Sequence, residues 1–103
     1  MKTDFLVIGS GIAGLSFALK VAEKQPESSI TIITKSSETE GSTKYAQGGI
    51  AVVSDFDNDS FKNHVEDTIL AGDGLCNPEI VNFVVEQAPA RFKELISYGA
   101  NFD

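Results

Sequence analysis

The sequence predicts an α/β fold in which a βαβ unit is followed by helices, and three observations indicate it. The apolar run from Phe5 to Ile8 is typical of a strand buried on both faces, as in a parallel sheet. Apolar residues take helical spacing from Ile12 onward, and residues 30–34 form a second run rich in β-branched side chains. A strand, a helix and a strand within about 30 residues predict a parallel pair joined by a right-handed crossover.

The βαβ unit is expected over residues 4–35. Its helix should end near Gln25, because Pro26 follows and a proline cannot continue a helical hydrogen-bond ladder. The chain offers only two convincing strands, so we expect the sheet to be incomplete within it. The apolar residues that share one face of the predicted helix are Leu15, Ala18, Leu19 and Ala22.

The middle of the chain is less regular. Residues 36–43 are polar and show no periodicity, whereas Gly48-Gly49 predicts a turn or a close backbone approach. Residues 50–53 are expected to form a short extended segment. The acidic stretch 54–60 should supply the cap of the next helix.

The final third predicts helices over the region 60–99. The first covers residues 60–71 and is ended by two glycines. Its apolar face carries Phe61, Val65 and Ile69, and the glycines that end it are Gly72 and Gly74.

A second helix should start at Asn77-Pro78-Glu79, which combines a capping side chain, a proline in the first turn and an acid near the positive dipole end. Pro89 interrupts the helical pattern and is expected to kink or split this helix. Gly99 is the expected C-terminal cap.

Composition excludes several classes of protein. The chain has 103 residues, one domain at most, and a net charge of −7 from 15 acidic and 8 basic residues. This balance argues against a nucleic-acid partner, which requires a basic surface. No apolar run approaches the roughly 20 residues of a membrane helix, so no membrane partner is expected. Cys76 is the only cysteine, which excludes an internal disulfide and favours a cytoplasmic location.

A glycine-rich loop lies between the first predicted strand and helix. It fits the pattern G-x-G-x-x-G, whose first glycine permits a tight turn, whose second admits a pyrophosphate and whose third lets helix and strand pack closely. The N–H groups and dipole at the helix start favour a phosphate. The predicted fold is therefore a partial Rossmann-like dinucleotide-binding domain. The loop consists of Gly9, Ser10, Gly11, Ile12, Ala13 and Gly14.

The end of the second strand lacks the acidic residue that usually binds the ribose hydroxyls. Thr34 and Lys35 stand there instead, and Glu38 and Glu40 come later. A lysine at this place favours a 2′-phosphate, but it is equally typical of a solvated strand end. These residues alone leave NAD, NADP and FAD open.

Longer motifs narrow the choice. "TEGSTKYAQGGIAVV" at residues 39–53 and "HVEDTILAGDGLCN" at 64–77 resemble the flavoprotein family of L-aspartate oxidase, fumarate reductase and succinate dehydrogenase. With "VIGSGIAGLS" and the closing "GANFD", the resemblance covers nearly the whole chain and is closest to the L-aspartate oxidase branch. It implies that residues 1–103 are the N-terminal part of an FAD-binding domain, with the capping and C-terminal domains absent.

The resemblance also implies roles for individual residues. The glycine loop would bind the FAD pyrophosphate, and Lys35 would stand near the adenosine ribose. The loop 36–53 would contact the flavin half of the cofactor. The residues implied in that contact are Ser42, Thr43, Lys44, Tyr45, Ala46, Gln47, Gly48 and Gly49.

Ser42 implies noncovalent FAD. Fumarate reductases and succinate dehydrogenases resemble this stretch but carry there a histidine that bonds to the flavin, and serine cannot form that bond. This difference favours the L-aspartate oxidase branch. His64, the sole histidine, is expected to be a hydrogen-bonded packing group rather than a catalytic one.

The activity implied by the family is oxidation of an amine, with L-aspartate converted to iminoaspartate on the route to quinolinate and NAD, and with oxygen or fumarate as acceptor. Arg91 is the only arginine and is expected to be a solvated helix residue, so the catalytic residues should lie beyond Asp103. The chain alone is expected to be an inactive fragment.

Two other functions stay open. The chain is alternatively part of a soluble fumarate reductase- or succinate dehydrogenase-like flavoprotein, or a standalone nucleotide-binding module. The expected partners are L-aspartate as substrate of the full-length enzyme and quinolinate synthase as pathway neighbour. The fragment itself is expected to self-associate through unpaired strand edges.

Overall fold

The computed structural model describes residues 1–35 and 48–102. The chain divides into two compact units, Met1–Gly48 and Gly49–Asp103.

The first unit is a βαβ unit. Strand β1 (Phe5–Ile8) leads into helix α1 (Ile12–Lys24), and strand β2 (Ile30–Ile33) returns beside β1. The strands are parallel, with Phe5 opposite Ile30 and Ile8 opposite Ile33. The predicted α/β fold is thereby confirmed, and β2 ends one residue before the prediction.

Helix α1 ends as its sequence predicts. Gln25 is the C-cap and donates its N–H to the Val21 carbonyl oxygen at 2.7 Å, and Pro26 follows. The helix packs on both strands. One contact that fixes it is the edge-to-face pair of Phe5 and Phe17, with ring centroids 6.3 Å apart.

The entrances of the two strands are held together by Asp4 and Ser29. The Ser29 N–H and hydroxyl donate to Asp4 Oδ2 at 2.9 and 3.0 Å, and the Asp4 N–H donates to Ser29 Oγ at 3.0 Å. The Ser29 backbone N–H, and after it the Ser29 hydroxyl, hold the pKa of the Asp4 carboxyl below its usual value. This reciprocal pairing sets the register from its first residue.

The second unit is built from two helices, α2 (Phe61–Ala71) and α3 (Pro78–Ser97), which pack against each other. Val65 and Val85 are the buried residues of these helices. Residues 50–53, for which a short extended segment is predicted, belong to no strand or helix, and Val53 among them is fully buried. The unit therefore takes part of its core from irregular chain.

Both helices have side-chain N-caps, as predicted. Ser60 Oγ accepts the Asn63 N–H at 3.1 Å, and Asn77 Oδ1 accepts the N–H groups of Glu79 and Ile80 at 3.0 and 3.3 Å. These bonds satisfy donors that have no carbonyl partner within the helix.

Helix α3 continues through Pro89, so of the two predicted outcomes the split does not occur. A proline removes only one helical hydrogen bond, and the apolar face continues on both sides of it. Val85 is buried one turn before Pro89, and Phe92 packs on Phe102 with ring centroids 5.0 Å apart.

The end of α3 is a Schellman motif. Tyr98 is the C-cap and Gly99 follows with a φ of +100°. The Gly99 N–H donates to the Ile96 carbonyl and the Ala100 N–H to the Leu95 carbonyl, both at 3.0 Å. The predicted role of Gly99 in ending the helix is thereby observed.

Cys76 is half-buried and donates its Sγ–H to the Thr68 carbonyl oxygen at 3.6 Å. A Cβ built on Gly72 would overlap this sulfur. Over residues 1–35 and 48–102, none of the helices combines the length and apolarity that a membrane span requires.

Candidate functional site

The glycine loop lies at the carboxyl end of β1 and turns the chain into α1. Gly9 has a φ of +107°, which side chains other than glycine rarely adopt. A Cβ built there would meet no atom within 4 Å. Glycine is therefore required by conformation, while the space beside it stays open.

Gly14 is required by close packing. A Cβ at this position would overlap the Gly9 carbonyl oxygen and lie 3.1 Å from Val7 Cγ1. The first turn of α1 thus rests directly on the loop and on β1, which is the geometry predicted for the third glycine of the motif.

Helix α1 starts after a residue that has no side chain. Gly11 is the N-cap residue, with φ −75° and ψ 178°, and as a glycine it has no side chain of its own that could cap this end. The first helical bond runs from the Leu15 N–H to the Gly11 carbonyl at 3.0 Å. The N–H groups of Ala13 and Gly14 therefore precede the helical ladder, at the positive end of the dipole.

Two hydrogen bonds join the loop to the end of β2. The Gly9 N–H donates to the Ile33 carbonyl at 2.7 Å, and Ser10 Oγ donates to Thr34 Oγ1 at 3.0 Å. Ser10 is only 9% exposed. Sequence reasoning missed this hydroxyl pair. The sequence did contain a signal for the pair, since a residue with a hydroxyl group follows shortly after each of the two strands that pair in parallel.

The structure gives less information on the remaining predicted site residues. Lys35 is exposed just beyond β2, and its position near a ribose stays a prediction. Gly48 and Gly49 are exposed, and Gly49 has a φ of +146° with no atom within 4 Å of a built Cβ. The other predicted flavin-contacting residues lie outside the described residues; they are Ser42, Thr43, Lys44, Tyr45, Ala46 and Gln47.

His64 and Arg91 have structural surroundings. His64 is half-buried on α2, and its carbonyl accepts the Thr68 hydroxyl at 2.7 Å. Arg91 Nη1 lies 2.9 Å from Glu94 Oε1, in a partly exposed pair one turn apart on α3. Neither observation indicates a catalytic group. In the described part of the chain, no cluster of acidic, cysteine or histidine side chains is arranged to hold a metal ion.

The loop fits a diphosphate. A dinucleotide diphosphate needs uncovered backbone, oriented N–H donors and the absence of nearby negative charge. The open face at Gly9 and the first turn of α1, whose N-cap residue is a glycine, provide the first two. The loop and the first turn of α1 themselves contain no acidic residue, which agrees with the third requirement.

Comparison with known proteins identifies the cofactor. The family model described as "FAD binding domain" matches residues 4–103. The chain belongs to the FAD binding domain family. FAD is therefore its cofactor, which resolves the choice that the Thr34-Lys35 strand end left open.

Individual relatives agree with the family. The chain is 49% identical over 100 residues to the chloroplastic L-aspartate oxidase of Oryza sativa, and 48% identical over 101 residues to the L-aspartate oxidase of Yersinia pestis. These matches cover 97% and 98% of this chain but only 15% and 18% of the relatives. The chain thus spans less than a fifth of the length of these curated relatives.

A solved structure matches the fold. The structure of an E. coli quinol fumarate reductase FrdA variant superposes with a TM-score of 0.85 at 34% sequence identity. The match covers 96% of this chain and 17% of that chain. This chain therefore shares its fold with the matching part of that FrdA variant.

Proposed function

We propose that this chain is the N-terminal, diphosphate-binding part of an L-aspartate oxidase. Its N-terminal βαβ segment and the following helices match relatives of that name over almost its whole length, at 48% and 49% identity. The FrdA variant matches at 34%. The observation that carries the proposal is the glycine loop, open at Gly9 and followed by a glycine N-cap, within a chain of the FAD binding domain family.

The proposed reaction is the oxidation of L-aspartate to iminoaspartate, with oxygen or fumarate as acceptor. The bound FAD supplies the hydride-accepting chemistry. The loop from Gly9 to Gly14 binds its diphosphate through backbone N–H groups, and Lys35 lies near the adenosine ribose. Residues of this chain thus hold and orient the cofactor, whereas the substrate-binding and catalytic groups belong to further sequence of the complete protein.

The flavin contacts are proposed for Ser42 and residues 43–49, on the motif resemblance. Serine has no nucleophilic ring nitrogen for a flavin linkage, so FAD is held noncovalently. Acid precipitation of the purified protein should release all of the flavin into the supernatant. Flavin that stays in the protein pellet after washing would contradict this assignment.

The proposed activity implies the pathway, and the single cysteine favours the proposed location. Iminoaspartate is consumed on the route to quinolinate, so quinolinate synthase is the proposed pathway neighbour, and the proposed location is cytoplasmic.

The first experiment uses the complete protein encoded by the reading frame that contains this sequence. It should purify with flavin absorbance and produce hydrogen peroxide on addition of L-aspartate. A complete protein that binds flavin but acts only on succinate or fumarate would overturn the oxidase assignment in favour of a fumarate reductase-like enzyme. A folded protein that binds no flavin would overturn both.

A second experiment tests the diphosphate site with a matched pair of variants. The backbone angles at Gly11 suit any N-cap residue, and aspartate is among the best N-caps. Gly11→Asp should therefore keep the helix stable while placing a negative charge at the diphosphate. Gly11→Asn is the neutral control of almost the same size. We expect FAD to bind about tenfold more weakly to the aspartate variant than to the asparagine variant, because the new carboxylate repels the diphosphate and offsets the attraction of the helix dipole.

A further inference from the structure

We infer that Ser10 and Thr34 form a positioning pair that holds the glycine loop open toward the FAD diphosphate and thereby sets FAD affinity. The inference deepens the proposed function and rests on it. Ser10 stands between Gly9 and Gly11, inside the loop, and donates its hydroxyl to Thr34 Oγ1 at 3.0 Å. We assign neither side chain a contact with the flavin ring or the substrate.

The loop needs such a restraint because of its composition. Glycine has no Cβ to restrict its backbone, so it loses more conformational freedom than other residues when the loop becomes ordered. Gly9 also holds a φ of +107°, which a free glycine adopts only as one of many conformations. A loop that must present its N–H groups in one arrangement therefore needs contacts from outside itself.

The restraint comes from the end of β2. The Gly9 N–H is fixed by the Ile33 carbonyl at 2.7 Å, which continues the parallel ladder one step past β1. Ser10 adds the next fixed point through Thr34, one residue further along both segments. The residue after Ser10 is Gly11, the N-cap of α1. The pair thus fixes the backbone immediately before the N–H groups of the first helical turn.

Because this hydrogen bond is partly buried, removing either hydroxyl group should have a measurable cost. Ser10 is 9% exposed, so water replaces a lost partner only poorly. Removing the Thr34 hydroxyl leaves a buried donor without its acceptor, which costs more than the bond itself contributes. Valine has the shape of threonine without the hydroxyl, whereas serine keeps the hydroxyl without the methyl group.

The test measures the FAD dissociation constant of the complete protein, after removal and readdition of FAD. Thr34→Val should weaken FAD binding about five- to tenfold, and Thr34→Ser should retain most of the affinity. Ser10→Ala should weaken binding by a similar factor. The double variant Ser10→Ala/Thr34→Val should bind FAD no more weakly than whichever single variant binds it more weakly, because both substitutions break the same hydrogen bond.

Kinetics separate a positioning role from general damage. At saturating FAD, kcat and the KM for L-aspartate should stay at their unsubstituted values in Thr34→Val. Equal FAD affinity in Thr34→Val and the unsubstituted protein would overturn the inference. So would equal losses in Thr34→Val and Thr34→Ser, or losses that add in the double variant. If Thr34→Val does not fold, Ser10→Ala alone decides: affinity within about twofold of the unsubstituted protein overturns the inference. Absence of FAD binding in the unsubstituted protein is the distinct result that defeats the proposed function.

Discussion

The α-carbon of Gly14 packs directly on the carbonyl oxygen of Gly9, so a methyl group at position 14 would overlap that oxygen. Backbone atoms on both sides of this contact leave no flexible side chain to move aside. The turn that shapes the candidate diphosphate site and the helix that follows it are thereby one packed unit.

Gly14→Ala should destabilise the chain by about 3 kcal/mol, at the upper end of the cost of overpacking, although alanine is the better helix former. Urea unfolding followed by circular dichroism measures this. Ala22→Ser, on an exposed position of the same helix, is the control and should change stability by about 0.5 kcal/mol or less. A neutral or stabilising Gly14→Ala would contradict the close packing.

Gly72→Ala should also destabilise, but through a side chain rather than backbone. The new methyl group would overlap Cys76 Sγ, while the backbone at Gly72, with φ −76°, suits alanine. We expect a cost of about 1–2 kcal/mol in the unsubstituted background. In a Cys76→Ala background the sulfur is gone, and the cost should fall to near zero. An equal cost of Gly72→Ala in both backgrounds would disprove the proposed overlap.

Loss of the α2 cap should be measurable by itself. Ser60→Ala removes the oxygen that accepts the Asn63 N–H and should lower the free energy of unfolding by about 1 kcal/mol. Ser60→Asp keeps an acceptor at the same place and is the matched control. If both variants lose the same stability, the cap hydrogen bond does not explain the effect.

The Asp4–Ser29 pairing predicts that the stability of the fold falls at acidic pH. Because hydrogen bonds from Ser29 lower the pKa of the folded Asp4 carboxyl, the folded state binds its proton more weakly than the unfolded state. The resulting stabilisation is fully present above the unfolded pKa of about 4 and is lost as the pH falls through the lower folded pKa. Carboxyl NMR titration measures the pKa directly. A value for Asp4 at or above that of the Asp4 carboxyl in the urea-unfolded chain would refute the pairing.

The isolated chain should self-associate. In the described part of the chain the sheet has only two strands, β1 and β2, and on β1 the side chains of Leu6 and Ile8 are 53% and 83% exposed. Unpaired strand edges and exposed apolar side chains favour pairing between copies. Analytical ultracentrifugation at increasing concentration should show dimers or larger species. A compact, stable monomer at all concentrations would contradict this expectation.

The strands and helices were predictable where one local signal dominates. Phe5 to Ile8 is continuously apolar, and Ser60 and Asn77 are caps of a type that marks helix starts in any context. The passage of α3 through Pro89 was not predictable, because it depends on packing on either side that no local pattern contains.

The candidate site divides in the same way. The backbone roles of Gly9 and Gly14 followed from the motif and are observed, while their contact with FAD stays a prediction. The pairing of Ser10 with Thr34 needed the strand register, since the two residues are 24 positions apart and meet only once Ile8 lies opposite Ile33.

The parallel pairing of Phe5 with Ile30 has a consequence during synthesis. A hairpin strand finds its neighbour almost at once, but β1 must wait until the whole of α1 and β2 has been translated. At roughly 5–20 residues per second, that delay is about one to five seconds. Throughout that delay the apolar residues of β1 have no native partner strand, so the sheet cannot form until the crossover has been made.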